Sequence, residues 1–465
     1  MKESRKLLTI ALPAMIEQFL QLLMGFVDNY LVAKIGIIAV SGVAVANNIL
    51  AIYQALFIAI GAAISSILSR QLVNEKNTAQ NQVMADTIVV TLFVSVCCGL
   101  IAIVGNVWLL RRLGVSDSVA QVGGLYLAIV GGGTVGLGLL TSLSAIVRTR
   151  GRTKLPMHVS LLTNLLNVIL SVMTLFLWHW GIVGVAISTV LSRLIGVLLL
   201  ARTLPIRAIL GHFRWSVNPS LLHLIVPAAG ERLMMRAGDV VIVSIIVAFG
   251  TQAVAGNAVG EALTQFNYLP AMAVSVATVI EVAATMTNAP QKFNRVIRSS
   301  FWLALAMMYV VAGAVWLLQV PLITLFVTEP EAMAASKIVV FYALLGVPAT
   351  AGTLIMTAVW QGLGNARLPF YATTIGMWVI RIGLGYLIGI VWQQGLSGVW
   401  MATVLDNLFR WCFLSYLYKK ERNLKRTAYN GQYKKVIYCS YKEVLFSWLK
   451  KEASSPNIHP SSNYR

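Results

Sequence analysis

Apolar stretches recur along this chain with short polar breaks between them. Twelve are long enough to carry a helix across a hydrocarbon layer of ~30 Å, which takes about 17 to 25 residues. They lie at 7–33, 39–69, 84–110, 121–147, 156–178, 181–204, 222–249, 255–286, 299–327, 336–361, 370–393 and 396–417. The first sits where a secretion signal would, but it is too long, carries Glu17 and Asp28, and ends without a small-residue cleavage site. It reads as a retained helix.

Shifted on itself by about 214 residues, the chain repeats. Pro13-Ala14-x-x-Glu17 returns as Pro227-Ala228-x-x-Glu231, and the Gly36 to Val45 pattern returns from Gly250 to Val259. Near the end of each half, Gly181-x-x-Gly184-Val185 with Thr189 returns as Gly395-x-x-Gly398-Val399 with Thr403. Six crossings per half bring the chain back to the side it started from. The halves are therefore parallel repeats about an axis along the membrane normal, with a site expected between them near the midplane. The predicted fold is an all-α polytopic membrane protein with twelve transmembrane helices in two pseudo-symmetric six-helix lobes. The lobes span 1–210 and 211–418, and a basic tail occupies 419–465.

Composition agrees with the pattern. The 465 residues are 58% hydrophobic and only 11% charged, with a mean hydropathy of +0.78, which excludes a water-soluble fold. A net charge of +20 suggests nucleic acid in a soluble protein; here the basic residues sit in membrane loops and imply lipid head groups, not nucleic acid. With both termini cytoplasmic, sixteen Lys and Arg fall in inner loops and four (Lys34, Arg111, Arg112, Lys337) in outer ones. That bias predicts a multi-pass protein of the plasma (inner) membrane. In the tail, Lys434-Lys435-Val436-Ile437-Tyr438 and Trp448-Leu449-Lys450-Lys451 suit the anionic inner leaflet.

Eight of sixteen acidic residues lie inside predicted spans: Glu17, Asp28, Asp86, Glu231, Asp239, Glu261, Glu281 and Asp406. Each costs a few kcal/mol at the midplane unless it faces protein or water. Asp86, Glu281 and Asp406 lie near helix ends or have pairing options, and read as structural. Glu17 and Asp28 are three turns apart on one face of the first helix, about 16 Å along its axis. On the seventh, Arg232, Arg236 and Asp239 form a stripe that allows an Arg236–Asp239 pair and must face a cavity.

Motifs of enzymes are missing. The stretch from Gly131 to Gly136 fits G-x-G-x-x-G, but it lies in an apolar span with no strand before it, where small residues let helices pack closely. There is no Walker A loop, no H-E-x-x-H and no G-x-S-x-G. Neither the scattered histidines nor the four cysteines form a metal pattern. The expectation is a non-enzyme without cofactor or metal.

Met24-Gly25-Phe26-Val27-Asp28, followed by Gly36 and the Ala39 to Val45 pattern, resembles the opening of the multidrug and toxic compound extrusion (MATE) transporters of the MOP flippase superfamily. Arg148-x-x-Gly151-x-Thr153-Lys154-x-Pro156-Met157 and Gln361-Gly362-x-Gly364-Asn365-x-Arg367-x-Pro369 resemble that family's loop signatures after the fourth and tenth helices. The resemblance covers about residues 5–418. It implies a monomeric secondary antiporter with an outward-open V between its lobes, exporting small organic molecules in exchange for protons or sodium. The family's amino-lobe cation site maps onto Asp28, Asn167, Ser171 and Thr189, with Ser171 where many members have a second carboxylate. Another branch uses a Glu on the seventh helix and an Asp on the tenth; here Glu231 lies one turn early and the tenth span has no acid. A substrate cavity is expected to involve Glu17, Glu231, Arg232, Arg236, Asp239, Glu261 and Arg381.

Asp28 is singled out by its chemistry as well. Protonating a lone carboxylate in a partly hydrated pocket removes an unpaired charge and lets first-helix contacts rearrange, a switch for alternating access. An Asp that only caps or bridges helices is the competing reading. For the whole chain, a flippase or exporter of a lipid-linked oligosaccharide or other anionic amphiphile is the alternative, favoured by Arg232, Arg236 and Arg381. A non-transporting scaffold would have no use for interior charges.

Overall fold

The computed structural model describes residues 2–73, 77–212 and 218–430, and within them every regular element is helical. The first half contains α1 (Lys2–Ala33), α2 (Ile37–Val73), α3 (Asn77–Val104), α4 (Asp117–Gly132 continued by Thr134–Thr149), α5 (Lys154–Leu177) and α6 (Gly181–Ala201). The second contains α7 (Pro219–Val247), α8 (Thr251–Asn288), α9 (Phe293–Leu317), α10 (Pro330–Leu345 continued by Val347–Gly362), α11 (Arg367–Val391) and α12 (Gly395–Asn430). Each predicted run has its helix. Eight are long and apolar enough to span a membrane unbroken, and α4 and α10 are spans bent by 44° and 56°. The remaining two, α7 and α12, carry interior charges: Glu231, Arg232, Arg236 and Asp239 on one, Asp406 and Arg410 on the other.

The third and ninth runs end earlier than expected, the ninth at Leu317 rather than 327, and the twelfth extends past 417 to Asn430. The third is the clearest case. It ends at Val104 rather than 110, because the helix stops at Gly105 and resumes as the short Asn106–Arg112. The second half does the same after Leu317, where Gln319–Thr324 follows. The bends of α4 and α10, at Gly133 and Gly346, are equivalent in the repeat, as are the wide π turns Met173–Leu177 and Leu387–Val391. Even the strained positions correspond: His179 (φ 57°) and Gln393 (φ 58°) adopt the left-handed backbone that favours glycine. Gly42 on α2 and its counterpart Gly256 on α8 lie so close to the neighbouring backbone (Gly123 and Ala332) that a methyl group on either would collide with it. Each lobe is thus joined tightly at its own glycine contact.

Between the lobes the packing is built on the first two helices of each half. Leu7, Ile10, Ala11 and Ala14 of α1 share a core with Ala271, Val274, Ala277 and Ile280 of α8. Ala59, Ile60 and Ala63 of α2 do so with Leu221, Leu224, Ile225 and Ala228 of α7. Polar contacts follow at the same end. Ser66 Oγ donates to the Gln361 carbonyl (2.8 Å) and Arg70 Nη2 to the Gly362 carbonyl (2.6 Å), closing α2 onto the C-terminus of α10. Lys6 Nζ reaches Glu281 Oε2 at 2.7 Å, and the Asn218 amide donates to Asp86 Oδ2 at 3.2 Å. This is the end that carries Arg148, Arg150, Arg152, Arg202, Arg207, Lys292, Arg295, Arg298 and Arg367, called here the basic end. Deeper in, Phe19 meets Phe266 with ring centroids 6.4 Å apart. Beyond that pair no hydrogen bond or ion pair joins the lobes among the described residues.

The latch leads to a measurable expectation. A charge-assisted hydrogen bond contributes about 1.5–3 kcal/mol, so Arg70→Gln should raise the population open at the basic end roughly tenfold or more. Ala63 lines the space between α2 and α7. A thiol reagent should therefore label an Ala63→Cys chain about tenfold faster when Arg70→Gln is added; equal rates would mean that Arg70 does not hold the lobes together.

Among the described residues, those up to Leu414 form one compact unit that holds both lobes, and those from Ser415 to Asn430 belong to another. The basic segments at 434–438 and 448–451, Cys439, and Arg214 and Trp215 between the halves lie outside the described residues.

Candidate ion and substrate sites

Glu17 and Asp28 of α1 are both buried, in different surroundings. Glu17 forms a short ion pair with Arg148 at the end of α4. Nearby, Asn164 Nδ2 of α5 donates to the Leu20 carbonyl at 3.0 Å, so this part of α1 is fastened to both neighbours. Glu231, the repeat partner of Glu17, is also buried, and receives Gln361 Nε2 and Thr373 Oγ1 at 3.4 Å each. The Pro-Ala-x-x-Glu motif thus anchors the first helix of each half to the helices around it. Both glutamates, expected in a substrate cavity, sit under partners within their lobes; Arg232 lies within electrostatic reach of Glu231.

Three turns on, Asp28 is 8% exposed and its Oδ1 is buried without a hydrogen-bond partner. The other residues of the expected ion site form a chain of their own. Ser171 Oγ donates to Asn167 Oδ1 (3.2 Å), and Asn167 Nδ2 donates to Thr189 Oγ1 (3.0 Å). A hydrogen bond joins the Tyr126 hydroxyl to Thr189. Tyr126 of α4 and Arg193 of α6 both lie within electrostatic reach of Asp28. The sequence reading placed Asp28, Asn167, Ser171 and Thr189 together and omitted these two. Arg193 was visible as a mid-span charge in need of a partner; Tyr126 carried no signal of its own.

The α7 stripe turns its charges to a wet surface. Asp239 bridges two arginines: its Oδ1 takes Arg381 Nη1 at 3.2 Å and its Oδ2 lies 3.8 Å from Arg236 Nη1. The side chains are 15% (Arg381), 39% (Asp239) and 53% (Arg236) exposed. Charges so exposed at mid-span must face water, and the cleft between the lobes is where water can stand. Arg381 Nε also donates to Thr403 Oγ1 at 3.1 Å. Glu261 on α8 lies close to Asn257 and within electrostatic reach of Arg381 and Asp239. The acids read as structural all have partners: Glu281 with Lys6, Asp406 Oδ2 with Arg410 (2.8 Å), and Asp86 with Gln82 (2.7 Å) and the Asn218 amide.

The geometry is that of two lobes, each with an acid on its first helix within reach of an arginine of its fifth or sixth (Asp28 and Arg193, Asp239 and Arg381), held together by polar contacts at one end. The sequence profile of the MatE family matches residues 13–173 and again 227–387, one copy per half. The chain belongs to the MatE family. It is a multi-pass membrane transporter. A probable multidrug resistance protein NorM of Thermotoga maritima is 26% identical over 423 residues, covering 87% of this chain and 90% of that one. An uncharacterized transporter, YisQ, of Bacillus subtilis is also 26% identical, covering 87% and 91%. Among solved structures, a MATE in the bent conformation superposes with a TM-score of 0.83 at 19% identity, over 92% of this chain and 97% of the other. A MOP superfamily transporter from Pyrococcus furiosus, described by the reverse polarity of its binding pocket, gives 0.83 at 19%, over 90% and 96%. These place both MatE repeats in the twelve-helix, two-lobe fold.

Proposed function

We propose that this MatE chain is a secondary antiporter that exports small organic compounds by alternating access, exchanging them chiefly for protons, with sodium secondary. The observation that carries the reading is Asp28: a buried carboxylate with one oxygen unpartnered, within electrostatic reach of Arg193 and Tyr126 and beyond the seam where the lobes meet. The names of its relatives, probable multidrug resistance proteins, support the substrate class. The excess of Lys and Arg supports a cytoplasmic basic end, and the closed basic end then makes this the outward-open state. The transporting unit is a single chain in the plasma (inner) membrane, and Ser171 in place of a second carboxylate leaves one negative charge for a cation, which weakens a sodium site.

A second point concerns the substrate. Arg236 and Arg381 against Asp239 leave the carboxyl-lobe wall neutral to positive, whereas a binder of simple cations would be acidic and aromatic. Neutral and zwitterionic compounds and those with an anionic group fit this wall best, and an anionic amphiphile is the limiting case. Everted vesicles with an acidic lumen test both points, because protons leaving the lumen then drive substrate in. Accumulation should follow the pH gradient, and Arg381→Gln and Arg236→Gln should each reduce uptake of an anionic dye several-fold more than that of a cationic one. Equal loss for both dyes, or no loss, removes the charge preference; uptake indifferent to the gradient removes the antiport.

A further inference from the structure

The repeat sets Asn167 against Arg381 and Arg193 against Asn407. Each lobe therefore has one asparagine and one arginine at the same two positions, in exchanged order, around a threonine common to both, Thr189 and Thr403. In the carboxyl lobe the arginine comes from α11 and is engaged through Nε on Thr403 and Nη1 on Asp239. In the amino lobe the fifth helix supplies the neutral Asn167, which takes the threonine, and the arginine comes from α6. Nη1 of Arg193 is buried with no hydrogen-bond partner, and so is Oδ1 of Asp28. Two polar atoms of opposite charge thus stand unsatisfied on α1 and α6, within electrostatic reach of one another but forming no ion pair. The other groups there are the Tyr126 hydroxyl from α4 and the neutral side chains of Asn167, Ser171 and Thr189.

We propose that Arg193 is a tethered cation that holds, beside Asp28, the position a sodium ion would need, so that only a proton can neutralise Asp28 during the cycle. The inference rests on the reading of Asp28 as the coupling group and adds what selects the ion. Sodium must gather several oxygens around itself and is repelled by a guanidinium in the same space. A proton needs no ligand shell: it forms an O–H bond on Asp28 itself. Arg193 is then a specificity-determining residue, and the absence of a carboxylate at Ser171 is its counterpart, since the second positive charge is already built into the chain.

The test uses purified full-length protein and radioactive sodium, read as sodium retained at equal pH, alongside export driven by a pH gradient in proteoliposomes. Wild type should retain no more sodium than Asp28→Asn. Arg193→Gln should retain at least about tenfold more, Arg193→Lys should restore exclusion, and Arg193→Gln combined with Asp28→Asn should lose the gain. Sodium bound by wild type and lost in Asp28→Asn overturns the proposal, as does a well-folded Arg193→Gln that binds none. Should Arg193→Gln fail to accumulate, wild type against Asp28→Asn decides alone. The coupling reading fails separately, if Asp28→Asn still exports down a pH gradient.

Discussion

Asp28→Asn is expected to reduce gradient-driven export to the level of empty vesicles while the protein still folds and inserts. The substitution keeps size and shape, and the Oδ1 it alters accepts no hydrogen bond, so no structural bond is lost there. Stability should fall by about 1–2 kcal/mol at most: no cavity forms, and the buried Arg193, which makes no ion pair with Asp28, loses only a nearby opposite charge. Function should change wholly, since an amide cannot alternate between charged and neutral forms. The protein is then fixed in the state the protonated acid would give, and the ligand-driven shift between conformations has nothing to act on. Melting in detergent and efflux in vesicles, measured on the same preparation, separate the two effects. Wild-type efflux rates in a well-expressed Asp28→Asn chain would remove Asp28 from the mechanism.

Glu17→Ala should have the opposite signature, a large loss of stability. Both side chains of the Glu17–Arg148 pair are 10% exposed, and removing one partner of a buried ion pair leaves the other charge uncompensated, a loss of about 3–5 kcal/mol. The melting midpoint in detergent should fall well below that of Asp28→Asn, with lower yield from the membrane. Combining Glu17→Ala with Arg148→Met should recover a large part of the loss, because the stranded charge is gone. If the double variant is as unstable as the single one, the pair contributes through packing and not through charge.

Much of this architecture could be read from the sequence. The twelve apolar runs and the repeat gave the crossings and the lobe order, because hydrophobicity and spacing are local properties. The Arg236–Asp239 pair could be foreseen from helical spacing alone. Partners distant in sequence could not: Glu17 and Arg148 are 131 residues apart, and only the folded lobe shows that a presumed cavity acid anchors α1 to α4. The bends at Gly133 and Gly346 were hidden inside continuous apolar stretches. Arg193 was within reach, because the repeat that aligned the motifs also aligns it with Asn407, and applying the offset to charges as well as to motifs exposes the exchange of asparagine and arginine.

The seam at the basic end sets an energy scale for turnover. Four polar contacts hold the basic end shut: Ser66 to Gln361, Arg70 to Gly362, Lys6 to Glu281 and Asn218 to Asp86. At roughly 0.5–1.5 kcal/mol for the neutral Ser66 bond, 1.5–3 for each of the Arg70 and Asp86 bonds and up to about 1 for the half-exposed Lys6 pair, breaking them costs about 4–8 kcal/mol before any contact forms on the other side. One proton moving down about 100 mV and about one pH unit releases about 3.7 kcal/mol. The lower bound of the cost is close to the yield of one such proton, and the upper bound exceeds it. In a cycle driven as proposed, contacts formed at the opposite end must therefore return part of the cost, and a seam with several more such contacts would stall it.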